Sequence, residues 1–166
     1  MNPPNKATCS SKPPEWLPLF PFIESQWSAV RALCEKYPLL DDYELTADWE
    51  QFVHQNPHWD NFAKLRQFRK SRLAYLAYLD FFLPLSKHMI TMSMVSKLAD
   101  FLLRQAWQMV ETEMVKRYGR VTNQQNKVAT LQVFALGKLG TCELNYSSDI
   151  DLVFVHDGVG YSEGDK

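Results

Sequence analysis

The stretch LQVFALGKLGTCELNYSSDIDLVFV, residues 131–155, decides the fold class of this chain. It reads as a strand over 129–136, a glycine turn at Gly137–Gly140, a short polar link and a second strand over 149–155. The apolar run at 152–155 predicts that the second strand is buried. Residues two apart in a strand point to the same face. The sequence therefore predicts that Asp149 and Asp151 project together where the second strand begins.

This carboxylate pair favours a metal site, although a solvated strand start also explains an isolated Asp-x-Asp. Two neighbouring carboxylates repel each other, and Mg²⁺ is commonly held by one or two carboxylates plus phosphate oxygens. The surroundings favour a phosphate ligand, because Gly137 lets a backbone approach closely and the Ser148 hydroxyl can donate to phosphate oxygens. Lys138 is either a phosphate contact or a surface lysine. The phosphate-loop consensus is not met, which excludes a Walker-type site.

The same residues resemble the signature of the glutamine synthetase adenylyltransferase family, within the DNA polymerase β nucleotidyltransferase superfamily. The sequence at 143–151 is ELNYSSDID. It is similar to the form in the domain that removes AMP, whereas the domain that attaches AMP more often reads Glu-Leu-Gly-Tyr-x-Ser-Asp-Leu-Asp. Ala135 and Thr141 depart from the pattern, because family members usually have glycine at those two positions.

The resemblance implies a transfer of AMP to a tyrosine of glutamine synthetase, or from it by phosphorolysis, which regulates nitrogen assimilation. It implies that Asp149 and Asp151 are catalytic and hold Mg²⁺, and that Gly137, Lys138 and Ser148 contact the nucleotide. The implied partners are glutamine synthetase, ATP or ADP with phosphate, and the PII signalling protein. The superfamily site also uses a third carboxylate on a later strand, which the sequence after Asp151 does not supply.

Helical periodicity upstream completes an α+β prediction, an N-terminal helical bundle followed by the first two strands of an incomplete nucleotidyltransferase sheet. The expected domains are a Pro-rich extended lead at 1–21, a helical region at 22–120 and a truncated nucleotidyltransferase start at 121–166. Helices are expected over 22–37, from a Thr46 cap to Pro57, from 60 or 61 to 83, and from 86–91 to 118, with 121–127 as a loop. The match to the family extends from about 61 to 157.

The third of these predicted helices carries a basic run at Arg66, Arg69, Lys70 and Arg72. This run lies in a stretch similar to the family's Leu-Arg-x-Phe-Arg helix. A solvated face is the usual explanation for such a run. Contact with the nucleotide, with Asp80 or with an acidic partner is the functional alternative, and the sequence does not decide between them.

Composition narrows the class of protein. The chain has 166 residues with 46% hydrophobic content and a formal net charge of −1, which predicts a folded protein without the basic field of a nucleic-acid-binding domain. The longest apolar stretch, at 73–85, falls short of the ~20 residues that span a bilayer. With three scattered cysteines and no export pattern at the N-terminus, these features predict a cytoplasmic protein that binds neither membrane nor nucleic acid.

The sequence leaves three functions open. The first is a longer adenylyl-transferring enzyme of which this chain is the N-terminal piece, inactive by itself because the sheet is unfinished. The second is a non-catalytic helical module that binds glutamine synthetase or a nitrogen-signalling partner. The third is a stand-alone minimal nucleotidyltransferase, which the long helical lead disfavours.

Overall fold

The computed structural model describes residues 12–37, 43–82, 88–162 and 164. The described residues form a helical part followed by two small antiparallel sheets, which confirms the predicted α+β class. In chain order the elements are a 3₁₀ turn at Leu17–Leu19, α1 (Pro21–Glu24), α2 (Trp27–Lys36), α3 (Leu45–Gln55), α4 (Asn61–Phe82), α5 (His88–Tyr118), β1 (Val121–Asn123), β2 (Leu131–Leu136), α6 (Gly137–Gly140), β3 (Asp151–His156) and β4 (Gly160–Ser162).

The two long helices, α4 and α5, pack against each other and form the base of the molecule. The Asp60 carboxylate accepts a hydrogen bond from the Ala63 N–H at 2.8 Å, so it caps α4 in the manner of an N-cap aspartate. Gly119 follows α5 with φ +77°, the left-handed conformation that glycine adopts most readily after a helix. The sequence-based bounds of both helices are confirmed within a few residues; Leu83 lies outside the described residues.

The hydrophobic core lies between α2, α4 and α5. Its fully buried side chains include Phe68, Tyr75, Leu76 and Leu98. The Tyr75 hydroxyl donates to the backbone carbonyl of Tyr37 at 2.7 Å, which satisfies the one polar atom of this large side chain. Burial of these residues fixes the orientation of α4, and thereby which of its basic side chains face solvent.

A buried ion pair joins α3 to α4. The guanidinium of Arg72 donates to both carboxylate oxygens of Asp48, from Nε at 2.7 Å and from Nη2 at 2.9 Å, and it stacks 4.1 Å from the ring centre of Phe68. Arg72 is therefore buried and paired, whereas the basic side chains of such a run usually lie in solvent. The predicted cap at Thr46 is also wrong, because α3 begins at Leu45 with Glu44 as its N-cap.

Tyr43 depends on the same ion pair, and this predicts a loss of stability at alkaline pH. Its hydroxyl donates to Asp48 at 3.2 Å, and burial, followed by the negative charge of Asp48, raises its pKa well above the ordinary value. The unfolded chain ionises this phenol from about pH 10, whereas the folded chain does not. Stability is therefore fully present below about pH 10 and falls above it, by about 1.4 kcal/mol per pH unit for one such group.

Urea unfolding between about pH 8 and about pH 11 measures this effect. A Tyr43→Phe variant lacks the ionisable group and should lose stability less steeply above about pH 10. Equal slopes for the two proteins would show that Tyr43 is not protected from ionisation in the folded state.

The segment before α2 differs from its prediction. Residues 17–24 form a 3₁₀ turn and a short helix, and Leu17 is buried in the core, so the described part of the predicted lead is not extended. Trp16 stacks on Phe81 of α4 with ring centres 5.4 Å apart, which holds this segment on the bundle. The single helix predicted over 22–37 is two helices, interrupted at 25–26. Residues 1–11, including Cys9, lie outside the described residues.

Two pairs of strands follow the helices. β2 pairs antiparallel with β3, with Leu136 opposite Asp151 at one end and Leu131 opposite His156 at the other. β1 pairs antiparallel with β4, so the prediction of a loop over 121–127 is wrong for Val121–Asn123. The strands of this second pair are only three residues long, and their partners are far apart in sequence, which hides them from local pattern analysis.

The predicted burial of the second strand is also wrong. Leu152 is half-buried, whereas Val153, Phe154 and Val155 are 42%, 57% and 46% exposed. One face of the β2–β3 pair lies across a cavity of about 540 Å³ from α5. On the other face, Phe134, Val153 and Val155 are exposed. The boundaries predicted between domains stay a prediction. None of the described helices combines the length and apolarity needed to cross a membrane.

Candidate functional site

The candidate site begins where β2 turns into α6. The predicted glycine turn is a single helical turn, and Gly137 opens it with φ +55°, a conformation that is strained for residues with a side chain. A Cβ on Gly137 would lie 3.3 Å from the Oδ2 atom of Asp151, so this glycine leaves room for that carboxylate. Leu139 anchors the turn because its side chain is buried in the core.

Replacing Gly137 by alanine tests this geometry. The left-handed backbone costs alanine about 1–2 kcal/mol, and the added methyl group pushes the Asp151 carboxylate away from its position. We therefore expect Gly137→Ala to lower the free energy of unfolding by about that amount and to weaken any Mg²⁺ binding. Thermal melting and metal titration measure the two effects. A Lys138→Ala variant, at an exposed neighbouring position, is the control for stability. Equal stability of the two variants would show that Gly137 does not need its left-handed backbone conformation.

The polar link at 141–150 is held on the helical base at two points. The buried Leu144 N–H donates to Ser96 Oγ at 3.1 Å, and Ser96 Oγ itself donates to a backbone carbonyl of α5. Tyr146 lies beside Asp80 and Thr91, where burial and then the Asp80 charge raise the pKa of its phenol. These contacts place the link against α4 and α5, in a position that strand patterns alone do not predict.

Asn145 organises the part of the link that precedes the acids. Its side-chain oxygen accepts from Ser148 Oγ at 2.7 Å and from the Ser147 N–H at 3.1 Å, as in an Asx turn. Its own N–H donates to Ser148 Oγ at 3.2 Å. The Ser148 hydroxyl therefore stabilises the link, and it can contact a phosphate only by leaving Asn145.

The two acids lie on different elements, which corrects the predicted strand start. β3 begins at Asp151, whereas Asp149 belongs to the preceding link, so strand alternation does not set the direction of Asp149. Asp149 lines a cavity next to α4 and α5, while Asp151 lies beside Gly137 at the end of the β2–β3 ladder. β3 begins at Asp151, two residues after the predicted start at Asp149. The reason is that the turn around Asn145 and the bond from Leu144 to Ser96 hold the residues before Asp151 in the link.

The donor set fits Mg²⁺ in part. Both carboxylates are exposed, and within the described residues neither has a hydrogen bond or an ion pair with another side chain. Carboxylate oxygens are the ligands that Mg²⁺ prefers, with waters and phosphates completing an octahedron. No group of three or more potential His, Cys, Asp or Glu ligands lies together among the described residues. The chain therefore offers two carboxylates as ligands, and the remaining positions fall to other groups.

The cavity that Asp149 lines has a volume of about 380 Å³. Its floor is apolar and comes from α4 and α5, whereas its rim carries Arg66, Arg69, Asn145, Ser148 and Asp149. Two arginines of the predicted basic run thus lie beside the signature. The sequence pattern identified the run but did not predict that these two side chains line this cavity.

Comparison with known proteins identifies the family of this chain. The family model described as glutamate-ammonia ligase adenylyltransferase matches residues 28–166. The chain belongs to this family. The family match extends beyond the region from 61 to 157 in which the sequence resemblance was visible, and it includes α3 and all of α2 except its first residue, Trp27.

Three curated relatives of this adenylyltransferase family member are each named bifunctional glutamine synthetase adenylyltransferase/adenylyl-removing enzyme. The protein of Xanthomonas campestris pv. campestris (strain B100) is 39% identical over 102 residues, which cover 61% of this chain and 11% of the relative. The protein of Stenotrophomonas maltophilia (strain K279a) is 36% identical over 104 residues, which cover 63% of this chain and 11% of that relative. The protein of Alteromonas mediterranea is 36% identical over 104 residues, which cover 61% of this chain and 10% of that relative. The chain thus spans about a tenth of the length of these relatives.

The structure of this adenylyltransferase family member brings together most, but not all, of the predicted site residues. Gly137 lies beside Asp151, and Ser148 and Asp149 line the same cavity. Lys138 is exposed, and its side chain has no hydrogen bond or ion pair with the other candidates among the described residues. The sequence analysis did not predict that Ser96 and Asn145 hold the link in place. The features of the sequence that point to these roles are a serine within an apolar helix stripe and an asparagine shortly before a Ser-Ser pair.

Proposed function

We propose that the polypeptide carrying this chain removes AMP from an adenylylated tyrosine of glutamine synthetase by phosphorolysis. The observation that carries the proposal is the signature at 143–151, held on the α4–α5 base. Among the described residues, neither of its carboxylates has a hydrogen bond or an ion pair with another side chain. The family and the names of its relatives support adenylyl transfer. The ELNYSSDID form favours removal of AMP over its attachment from ATP.

The proposed reaction exchanges one phosphate ester for a phosphoanhydride. An oxygen of inorganic phosphate attacks the phosphorus of the AMP group, and the bond from that phosphorus to the tyrosine oxygen breaks. The products are ADP and the tyrosine, whose phenolate takes up a proton. Attachment of AMP from ATP would follow the same geometry, with the tyrosine oxygen attacking and pyrophosphate leaving.

In this proposal Asp149 and Asp151 would hold the divalent cation. Mg²⁺ supplies Lewis-acid stabilisation of charge on the attacking and leaving oxygens. Gly137 keeps open the space beside the Asp151 carboxylate. Lys138 is exposed and available to a phosphate, whereas Ser148 shapes the link that presents Asp149. Binding of ATP, ADP and the PII protein stays a prediction, as does a cytoplasmic location.

The direct test supplies adenylylated glutamine synthetase, Mg²⁺ and phosphate to the full polypeptide that carries this chain. We expect ADP to form in step with loss of the adenylyl group from glutamine synthetase, measured by chromatography and mass spectrometry. Omitting phosphate should stop the reaction. Stable binding to glutamine synthetase without release of ADP would refute phosphorolysis and favour the non-catalytic helical module instead.

A further inference from the structure

We infer that Arg66 and Arg69 of α4 form a phosphate-binding rim beside Asp149. The inference rests on the proposed function, because it assigns a phosphate anion to the cavity next to the proposed metal site. Both guanidinium groups come from the helical base rather than from the nucleotidyltransferase signature. The anion is either inorganic phosphate or a phosphate group of the nucleotide, and these share the same chemistry.

The position of the two arginines follows from the helix period. Leu65, Arg69 and Leu73 are four residues apart, so they share one face of α4, and all three line the cavity with Arg66. The leucines are buried, whereas both arginines are exposed. A long arginine side chain can lay its aliphatic part on apolar surface while its charged end stays in water.

Arg72 shows by contrast what a structural arginine looks like on the same helix. Its guanidinium is buried, pairs with Asp48 through two hydrogen bonds and donates a third to Ser71. Arg66 and Arg69 have no ion pair with any described residue, although Asp149 lines the same cavity. Their positive charge is therefore available to a ligand.

A phosphate anion fits this rim better than a neutral ligand does. Guanidinium groups bind phosphate bidentately through paired N–H donors, and two of them here adjoin a carboxylate proposed to hold Mg²⁺. A cation at Asp149 and two guanidinium groups would together surround an anion with positive charge. The volume of about 380 Å³ is within the roughly 300–1,000 Å³ range of small-ligand pockets.

The test measures binding of inorganic phosphate and of Mg·ADP to the full polypeptide by isothermal titration calorimetry. Arg66→Gln with Arg69→Gln should weaken phosphate binding about tenfold or more, the effect of losing charge-assisted hydrogen bonds. Lys70→Gln, on the same exposed stretch of α4 but away from the cavity, should change it less than twofold. Arg66→Lys with Arg69→Lys should give an intermediate affinity, because lysine keeps the charge without the fork.

The two ligands and the acidic residues separate the possible outcomes. Weaker binding of both ligands places the nucleotide phosphate at the rim, and weaker binding of free phosphate alone assigns the rim to the attacking phosphate. Unchanged affinity for both, or no phosphate binding by the unsubstituted protein, would overturn the inference. If Asp149→Asn with Asp151→Asn leaves Mg·ADP binding intact, the proposed function fails, whatever the arginine variants show.

Discussion

Replacing Asp149 and Asp151 together by asparagine is expected to abolish phosphorolysis of adenylylated glutamine synthetase. Asparagine has nearly the same shape as aspartate but no charge, so the two side chains would no longer hold a divalent cation. Loss of metal stabilisation worth several kcal/mol corresponds to a rate lower by about a thousandfold or more. The rate of ADP release under saturating phosphate is the measurement.

Two controls show whether a lost activity comes from the site itself rather than from unfolding or from a general loss of negative charge. Both carboxylates are exposed and have no hydrogen bond or ion pair with other side chains of the described residues, so the thermal midpoint of the variant should match that of the unsubstituted protein. Glu111→Gln with Glu113→Gln removes two exposed acids at the same spacing from α5 and should leave the rate unchanged. Full activity of the Asp149 and Asp151 double variant would refute the assignment of the site.

The largest loss of stability is expected from breaking the buried ion pair. Asp48→Ala leaves the guanidinium of Arg72, which is 6% exposed, without its carboxylate in the core. Removal of one partner of a buried pair costs about 3–5 kcal/mol. Chemical denaturation with circular dichroism measures this free energy of unfolding.

Two comparison variants isolate the cause. Removing both charges, by Asp48→Leu with Arg72→Met, should restore much of the loss because no unpaired charge remains buried. Arg104→Met breaks an ion pair at the surface, in which the side chains of Arg104 and Asp100 are 73% and 57% exposed. This change should lower the free energy of unfolding by less than about 1 kcal/mol. A loss no larger for Asp48→Ala than for Arg104→Met would show that the pair does not stabilise the fold.

The sequence predicted those parts of the fold that depend on local signals. Asp60 caps α4 and Gly119 ends α5, and both signals act on neighbouring backbone groups, so both helices were found. The β2–β3 pair also carries its own pattern of apolar residues. β1 was missed because a strand of three residues depends on its partner β4, which lies far along the chain.

The candidate site was predicted in its residues but only partly in its geometry. Asp149 and Asp151 were identified from their spacing, yet the start of β3 depends on Asn145 and on the tertiary bond from Leu144 to Ser96. The separate roles of Arg69 and Arg72 also depend on which partners surround α4. Such contacts join distant parts of the chain, and no local pattern encodes them.

In the proposed site, Asp149 and Asp151 bind a divalent cation together with a nucleotide. Titration of Mn²⁺, as a paramagnetic substitute for Mg²⁺, into the full polypeptide with ADP tests it most directly by electron paramagnetic resonance. We expect bound metal that depends on ADP and disappears in the double asparagine variant. Equal metal binding by the variant and the unsubstituted protein would contradict it.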